Sequence, residues 1–168
     1  MNKLLRILKH RWLDETDTAR ALDEAALSRL EAQVAGSERQ HSGEIRLCVE
    51  ASLPLGCLWR NATPRERAVT MFGQLRVWDT EANNGVLIYL LLAEHAIEIV
   101  ADRGLTQRVP QAEWNALVAA MRERFRAGQF EAGLAAAVST VDQLLRQHFP
   151  LQAGMHNPNE LPDRAELR

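Results

Sequence analysis

Two polar clusters in this chain carry side chains that could do chemistry. The first is Asp79-Thr80-Glu81-Ala82-Asn83-Asn84-Gly85; the second, Asp102-Arg103-Gly104, begins 17 residues after Gly85. Carboxylates, side-chain amides and main-chain carbonyls are hard oxygen donors, which a cation such as calcium gathers in sets of about six to eight. The alternation Asp79, Glu81, Asn83, Gly85 echoes calcium loops that place a ligand at every other residue. It lacks the sixth-position glycine and the terminal glutamate of an EF-hand, so that motif is absent. A plain architectural reading stands beside it. Asn83-Asn84-Gly85 makes a turn with positive φ, and Asp102 or Asp79 pairs with Arg103.

Whether the two clusters meet depends on the segments between them. Val86 to Leu92 is apolar throughout, which predicts a central strand covered on both faces. Ala93-Glu94-His95-Ala96 then links it to Ile97-Glu98-Ile99-Val100-Ala101, and so short a link demands an antiparallel hairpin. With the turn centred between Glu94 and His95, Val86 faces Arg103 and Gly85 faces Gly104. Asp102 then lies beside the mouth of the loop holding Asn83 and Asn84. Upstream, Glu44 to Glu50 alternates, with Ile45, Leu47 and Val49 on one face and Glu44, Arg46, Cys48 and Glu50 on the other. That pattern predicts a half-exposed strand near a sheet edge. The intervening helix makes strands one and two a parallel, right-handed crossover, so the sheet is mixed and Glu44 starts at the same end. Asp79, Asn83, Asn84 and Asp102 are the candidate metal ligands, with Glu81 and Glu44 close by.

The flanking elements follow from periodicity and caps. Asp17 is positioned to cap a helix from about Thr18 to Ala35, with Leu22, Ala26, Leu30 and Val34 at four-residue intervals and Gly36 as its stop. Ser37 to Gly43 and Ser52 to Ala62 read as loops, the second anchored by Trp59. Thr63-Pro64-Arg65-Glu66 has a capping threonine, a proline at the first helical position and the glutamate of a capping box; Ala68, Phe72 and Leu75 point inward from that helix. After Pro110, Trp114, Leu117, Met121 and Phe125 mark a helix stopped by Gly128. Phe130, Leu134, Val138, Val141, Leu145 and Phe149 mark the last one, ended by Pro150. From Leu151 the polar, proline-bearing remainder predicts a disordered tail. The expected organisation is an N-terminal helical segment over 1–36 packed on the domain, a three-layer α/β/α sandwich with a mixed parallel and antiparallel sheet over 37–150, and the tail over 151–168.

Composition narrows the function classes. The chain has 168 residues, 46% hydrophobic and 25% charged, the profile of one ordinary globular domain. A formal net charge of −2 argues against a nucleic-acid partner. No run approaches the ~18 apolar residues of a membrane span. The opening MNKLLRILKHRWL is interrupted by Lys3, Arg6, Lys9 and Arg11, so it is not a secretory signal, and a cytoplasmic location is expected. The same segment is a basic amphipathic helix, with Leu4, Leu5, Leu8 and Trp12 on one side, able to pack on the domain or lie on an anionic membrane. Cys48 and Cys57 fit no metal or redox spacing and lack the downstream arginine of a cysteine-dependent phosphatase. His10, His41, His95, His148 and His156 show no ligand spacing and read as surface or packing residues. Trp12, Trp59 and Trp78 either shield a core edge or gather at a partner surface.

Several phrases resemble the TPM domain family, found in a plant thylakoid-lumen protein, a photosystem-repair protein and a modulator of a neuronal receptor. They are Arg67-Ala68-Val69-Thr70-Met71-Phe72, Asp79-Thr80, Asn84-Gly85-Val86-Leu87-Ile88, Glu98-Ile99-Val100-Ala101-Asp102-Arg103-Gly104, Phe125-Arg126-Ala127-Gly128 and His148-Phe149-Pro150. The resemblance covers about residues 40 to 150. It implies an α/β/α sandwich, calcium at Asp79, Asn83, Asn84 and Asp102, and a protein or membrane partner. The expectation is a non-catalytic calcium-binding or interaction module; the alternative is a metal-dependent acid phosphatase. For the latter the chain lacks an Asp-x-Asp nucleophile and a glycine-rich phosphate loop, leaving Arg103 to hold a phosphoryl group. Many members of the family carry a membrane helix, and none is expected within these 168 residues.

Overall fold

A computed structural model of the chain describes residues 3–13, 15–151 and 158–168. Its centre is a four-stranded mixed sheet in the order β3-β2-β1-β4, where β1 is Ile45–Glu50, β2 Val86–Leu91, β3 Ala96–Ala101 and β4 Glu166–Leu167. β1 and β2 are parallel with Ile45 beside Val86; β2 and β3 are antiparallel with Val86 beside Ala101. The expected register is therefore displaced by two residues. Leu92–Glu94 forms a 3₁₀ turn and His95 takes a left-handed conformation (φ 48°), so the chain reverses one residue earlier than the symmetric turn assumes. The direction of the hairpin is as the short link demands.

Side chains of β1 and β2 alternate between two apolar layers. Ile45, Leu47, Val49, Val86, Ile88 and Leu90 join one core with α3 (Glu24–Glu38), α7 (Gln111–Arg126) and α8 (Phe130–His148). Cys48, Leu87, Tyr89 and Leu91 join the other with α4 (Leu55–Trp59) and α5 (Pro64–Gln74). Helices thus cover both faces, the α/β/α arrangement. The α5 start is the capping box read from sequence: Thr63 accepts from the Glu66 N–H, and Glu66 accepts from the Thr63 N–H at 2.6 Å. Of its inward residues Ala68 and Met71 are fully buried, with Phe72 and Leu75 half-buried against them.

Several expectations need correcting. The helix expected over 18–35 is two helices, α2 (Glu15–Ala21) and α3. Asp23 caps α3 by accepting from the Ala26 N–H at 2.7 Å, which breaks the helix at Leu22, and α3 runs past Gly36 to Glu38. Leu22, Ala26, Leu30 and Val34 are buried nonetheless. β1 is not a half-exposed edge strand but is buried along its whole length, because β4 pairs with it in parallel on the far side. Residues 158–168 therefore do not form the structureless tail the composition predicts; residues 152–157 lie outside the described part. Arg46, outward by alternation, donates to the carbonyls of Pro162 and Arg164 and so ties this segment down. The 52–62 loop contains α4, and its anchor is Leu58, since Trp59 is exposed. The N-terminal segment, α1 (Lys3–Arg11), does pack on the domain, but through Arg6, Ile7 and His10, with its leucines turned outward.

Candidate functional site

The loop between α5 and β2 and the end of β3 converge at the sheet end where β1 and β2 begin. The Asp102 N–H donates to the Gly85 carbonyl at 2.9 Å, and the Gly104 N–H donates to the Asn83 carbonyl at 2.9 Å. Both glycines are required by close approach. A Cβ on Gly85 would come within 1.9 Å of the Val77 carbonyl oxygen, and one on Gly104 within 2.5 Å of the Asn83 oxygen. The positive φ of the turn sits on Asn83 (51°) rather than on Gly85. Thr80 braces the turn by accepting from the Asn84 N–H at 3.1 Å.

The four candidate ligands separate into two pairs. Asn84 is fully buried; its amide nitrogen donates to Ser42 Oγ at 3.2 Å, and its Oδ1 has no hydrogen-bond donor. Asp102 caps the short helix α6 (Arg103–Thr106) with one oxygen, accepting from the Arg103 N–H at 2.6 Å, while its buried Oδ2 has no donor. Asn83 is committed differently, since its Oδ1 accepts from Arg103 Nε at 3.1 Å. Asp79 is exposed on the lip of the loop. Arg103 therefore pairs with an asparagine rather than with Asp102 or Asp79 as the architectural reading has it. Glu81 is exposed too, its N–H donating to Glu160 at 3.0 Å. Among the described residues no three His, Cys, Asp or Glu side chains gather into a metal-binding group. Any cation at this corner would rest on Asn84 and Asp102, with main-chain oxygens and water completing the shell.

Beside them lies an acidic group of which the sequence reveals only Glu44. Glu44 is buried; its carbonyl accepts from the Val86 N–H at 2.8 Å and its carboxylate from the Leu161 N–H at 3.2 Å. Glu38 accepts from the Ile45 N–H at 2.9 Å, and burial, reinforced by Glu44 and Asp163, pushes its carboxyl up to about 8. Glu38 and Asp163 come from segments expected to be loop and tail, which is why no spacing signals them. His41, read as a surface or packing residue, is fully buried 3.4 Å from Asp142, and burial lowers its pKa. His156 lies outside the described residues.

The opposite end of the sheet holds a second polar group. Glu50 closes β1 and receives Arg67 Nε at 2.9 Å, Arg67 Nη2 at 2.6 Å and the Tyr89 hydroxyl at 2.6 Å. Burial and the neighbouring Glu50 raise the Tyr89 pKa, and the hydrogen bond to Glu50 raises that of Arg67. The one available signal was a tyrosine in an otherwise aliphatic strand, whose buried hydroxyl needs a partner. Cys48, buried in the same layer, has its thiol pushed up to about 12 by desolvation and is chemically inert.

The family model described as the TPM domain matches residues 16–144. The chain belongs to the TPM domain family. The matched span holds both polar ends of the sheet, whereas α1 and β4 lie outside it. Among solved structures, the NMR structure of BA42 protein from the psychrophilic bacterium Bizionia argentinensis superposes with a TM-score of 0.74 at 25% identity, covering 86% of this chain and 94% of that one. The solution NMR structure of the N-terminal domain of a P. gingivalis protein gives 0.64 at 20% identity, covering 80% of this chain and 84% of that domain, a likeness of fold. No curated protein matches the chain. This TPM domain has no helix, among the described residues, long and apolar enough to cross a membrane.

Proposed function

We propose that this TPM domain is a non-catalytic module that binds a hard divalent cation, calcium first among them, at the corner formed by Asn84 and Asp102. One observation carries the reading: Asn84 Oδ1 and Asp102 Oδ2 are buried without a donor, and the Asp102 N–H donates to the carbonyl of Gly85, the residue that follows Asn84. A buried acceptor left unpaired costs about 1–3 kcal/mol, more when charged. A cation coordinated by both oxygens would remove that cost. Asp79 and Asn83 form the lip, and Asn83 would have to release Arg103 to join the shell. Calcium titration followed by amide NMR should move the signals of Asn83 to Gly85 and those around Asp102. Shifts confined to other parts of the chain would refute the placement.

A phosphatase would use the same corner with Arg103 holding the phosphoryl group. Arg103 is exposed and already engaged through Nε, which favours the binding module. Hydrolysis of a chromogenic phosphate ester by the pure protein, abolished in Asp102→Ala, would replace the module reading with the enzymatic one.

A further inference from the structure

The orientation of α1 is the reverse of what an amphipathic helix on a globular surface normally shows. At about 3.6 residues per turn, Leu4, Leu5, Leu8 and Trp12 fall within roughly a third of the circumference. That face is turned outward: Leu4 is 68% exposed, Leu5 59%, Leu8 54% and Trp12 85%. The helix is held instead by its polar side. Arg6 donates to Glu94 at 2.7 Å, to Asn61 Oδ1 at 3.1 Å and to the Ala62 carbonyl at 2.7 Å. His10, buried, accepts from the Leu53 N–H through Nδ1 at 3.0 Å and meets Glu94 through Nε2 at 3.0 Å.

The apolar face does not end with α1. Lys3 lies 5.5 Å over the Trp59 ring and donates to the Trp59 carbonyl at 2.8 Å, which joins α1 to α4. Trp59 is itself 68% exposed, and Leu55 on the same short helix is half-exposed. Charge says what this face fits. The sequence of α1, KLLRILKHR, contains no acidic residue, and at its helical positions Arg11 borders the leucine stripe on one side and Lys9 on the other. A local basic rim on a chain of net charge −2 orients the protein toward an anionic plane. Leucine inserted below tryptophan and flanking bases is the composition of a helix lying in a lipid interface.

We propose that α1, continued by Trp59 and Leu55, is a preformed docking face for an anionic lipid surface. Leu4, Leu5, Leu8 and Trp12 enter the acyl boundary while Lys9 and Arg11 meet the headgroups. Because hydrogen bonds to the domain already fix the helix, its ordering cost is met before binding. The idea is independent of the cation corner, which lies in a different part of the fold.

Co-sedimentation of the full chain with phosphatidylcholine vesicles, with and without phosphatidylserine, tests it. The protein should pellet with the mixed vesicles, its tryptophan emission should move to shorter wavelength, and binding should weaken as salt rises. The double variant Leu5→Glu and Leu8→Glu changes only exposed positions and should keep the wild-type melting temperature while losing more than tenfold in partitioning. Lys9→Gln with Arg11→Gln should lose about fivefold per base. The proposal is overturned if the wild type stays in the supernatant, or if it binds pure phosphatidylcholine equally well without salt dependence. It is equally overturned if gel filtration shows a dimer that Leu5→Glu with Leu8→Glu turns into a monomer, since the occupant would then be a second copy of the chain.

Discussion

Where β1 finishes, Glu50 is gripped by Arg67 and Tyr89 and none of its oxygens lacks a donor. Where β1 and β2 begin, Asn84 Oδ1 and Asp102 Oδ2 are equally buried and have no donor at all. In open α/β sheets ligands commonly sit beyond the carboxyl ends of the parallel strands. Here that end is closed by the protein's own ion pair, and the unsatisfied oxygens lie at the other. A buried polar group completed internally, as at Glu50, belongs to the scaffold; one left incomplete, as at Asn84 and Asp102, is where the proposed cation would sit.

The largest effect is expected at the closed end. Arg67→Met should leave Glu50 buried and uncompensated, at a cost of about 3–5 kcal/mol in urea unfolding. Adding Glu50→Gln should recover part of it, and a loss under about 1 kcal/mol for Arg67→Met would mean the pair is not structural. Next in size is Glu38→Gln. Glu38 titrates near 8 in the fold, above its ordinary 4.5, so the folded state prefers the protonated form and stability is lost as pH rises from 4.5 through 8. The glutamine keeps the neutral form's hydrogen bonds and should stabilise by on the order of 3 kcal/mol at pH above about 8, with no gain below about pH 4. A gain that does not grow with pH would contradict it.

At the open end the expected effect on stability is smaller. Asp102→Asn retains an oxygen to cap α6 and removes an unpaired buried charge, so unfolding free energy should stay within about 1 kcal/mol of wild type. A large loss would mean that Asp102 is scaffold like Glu50. The smallest effect concerns α1. The His10 ring, and then Arg6, hold the Glu94 carboxyl below its ordinary range. That contribution is present above the ordinary carboxylate pKa and is lost as pH falls through the folded one. Amides of residues 3–11 should therefore lose hydrogen-exchange protection, corrected for intrinsic rate, on acidification below about pH 4. Unchanged protection there would refute this account of how α1 is held.

What the sequence reveals is local, and what it hides is long-range. The capping box at Thr63, the buried run Val86 to Leu91 and the tight reversal before Ala96 all follow from neighbours a few residues apart. They suffice to bring Asp102 to Asn84, and a two-residue error in register does not separate them, because both glycine contacts fix the corner from the loop side. β4 is hidden because two residues, Glu166 and Leu167, cannot announce a strand that exists only through pairing with β1. Covering β1 reversed the meaning of its alternation: Arg46 and Glu50 look solvent-facing by period, yet find partners at Pro162, Arg164 and Arg67. The same holds for α1, whose apolar stripe was legible while its outward direction depends on Glu94, 88 residues away from Arg6.

The cation corner is tested most directly by calorimetric titration of calcium into the wild type and into Asp102→Asn. The wild type should show one saturable site and the variant an affinity at least about tenfold weaker, the equivalent of ~1.4 kcal/mol, at nearly unchanged stability. Identical calcium affinity in the two proteins, or no heat of binding in either, would contradict it.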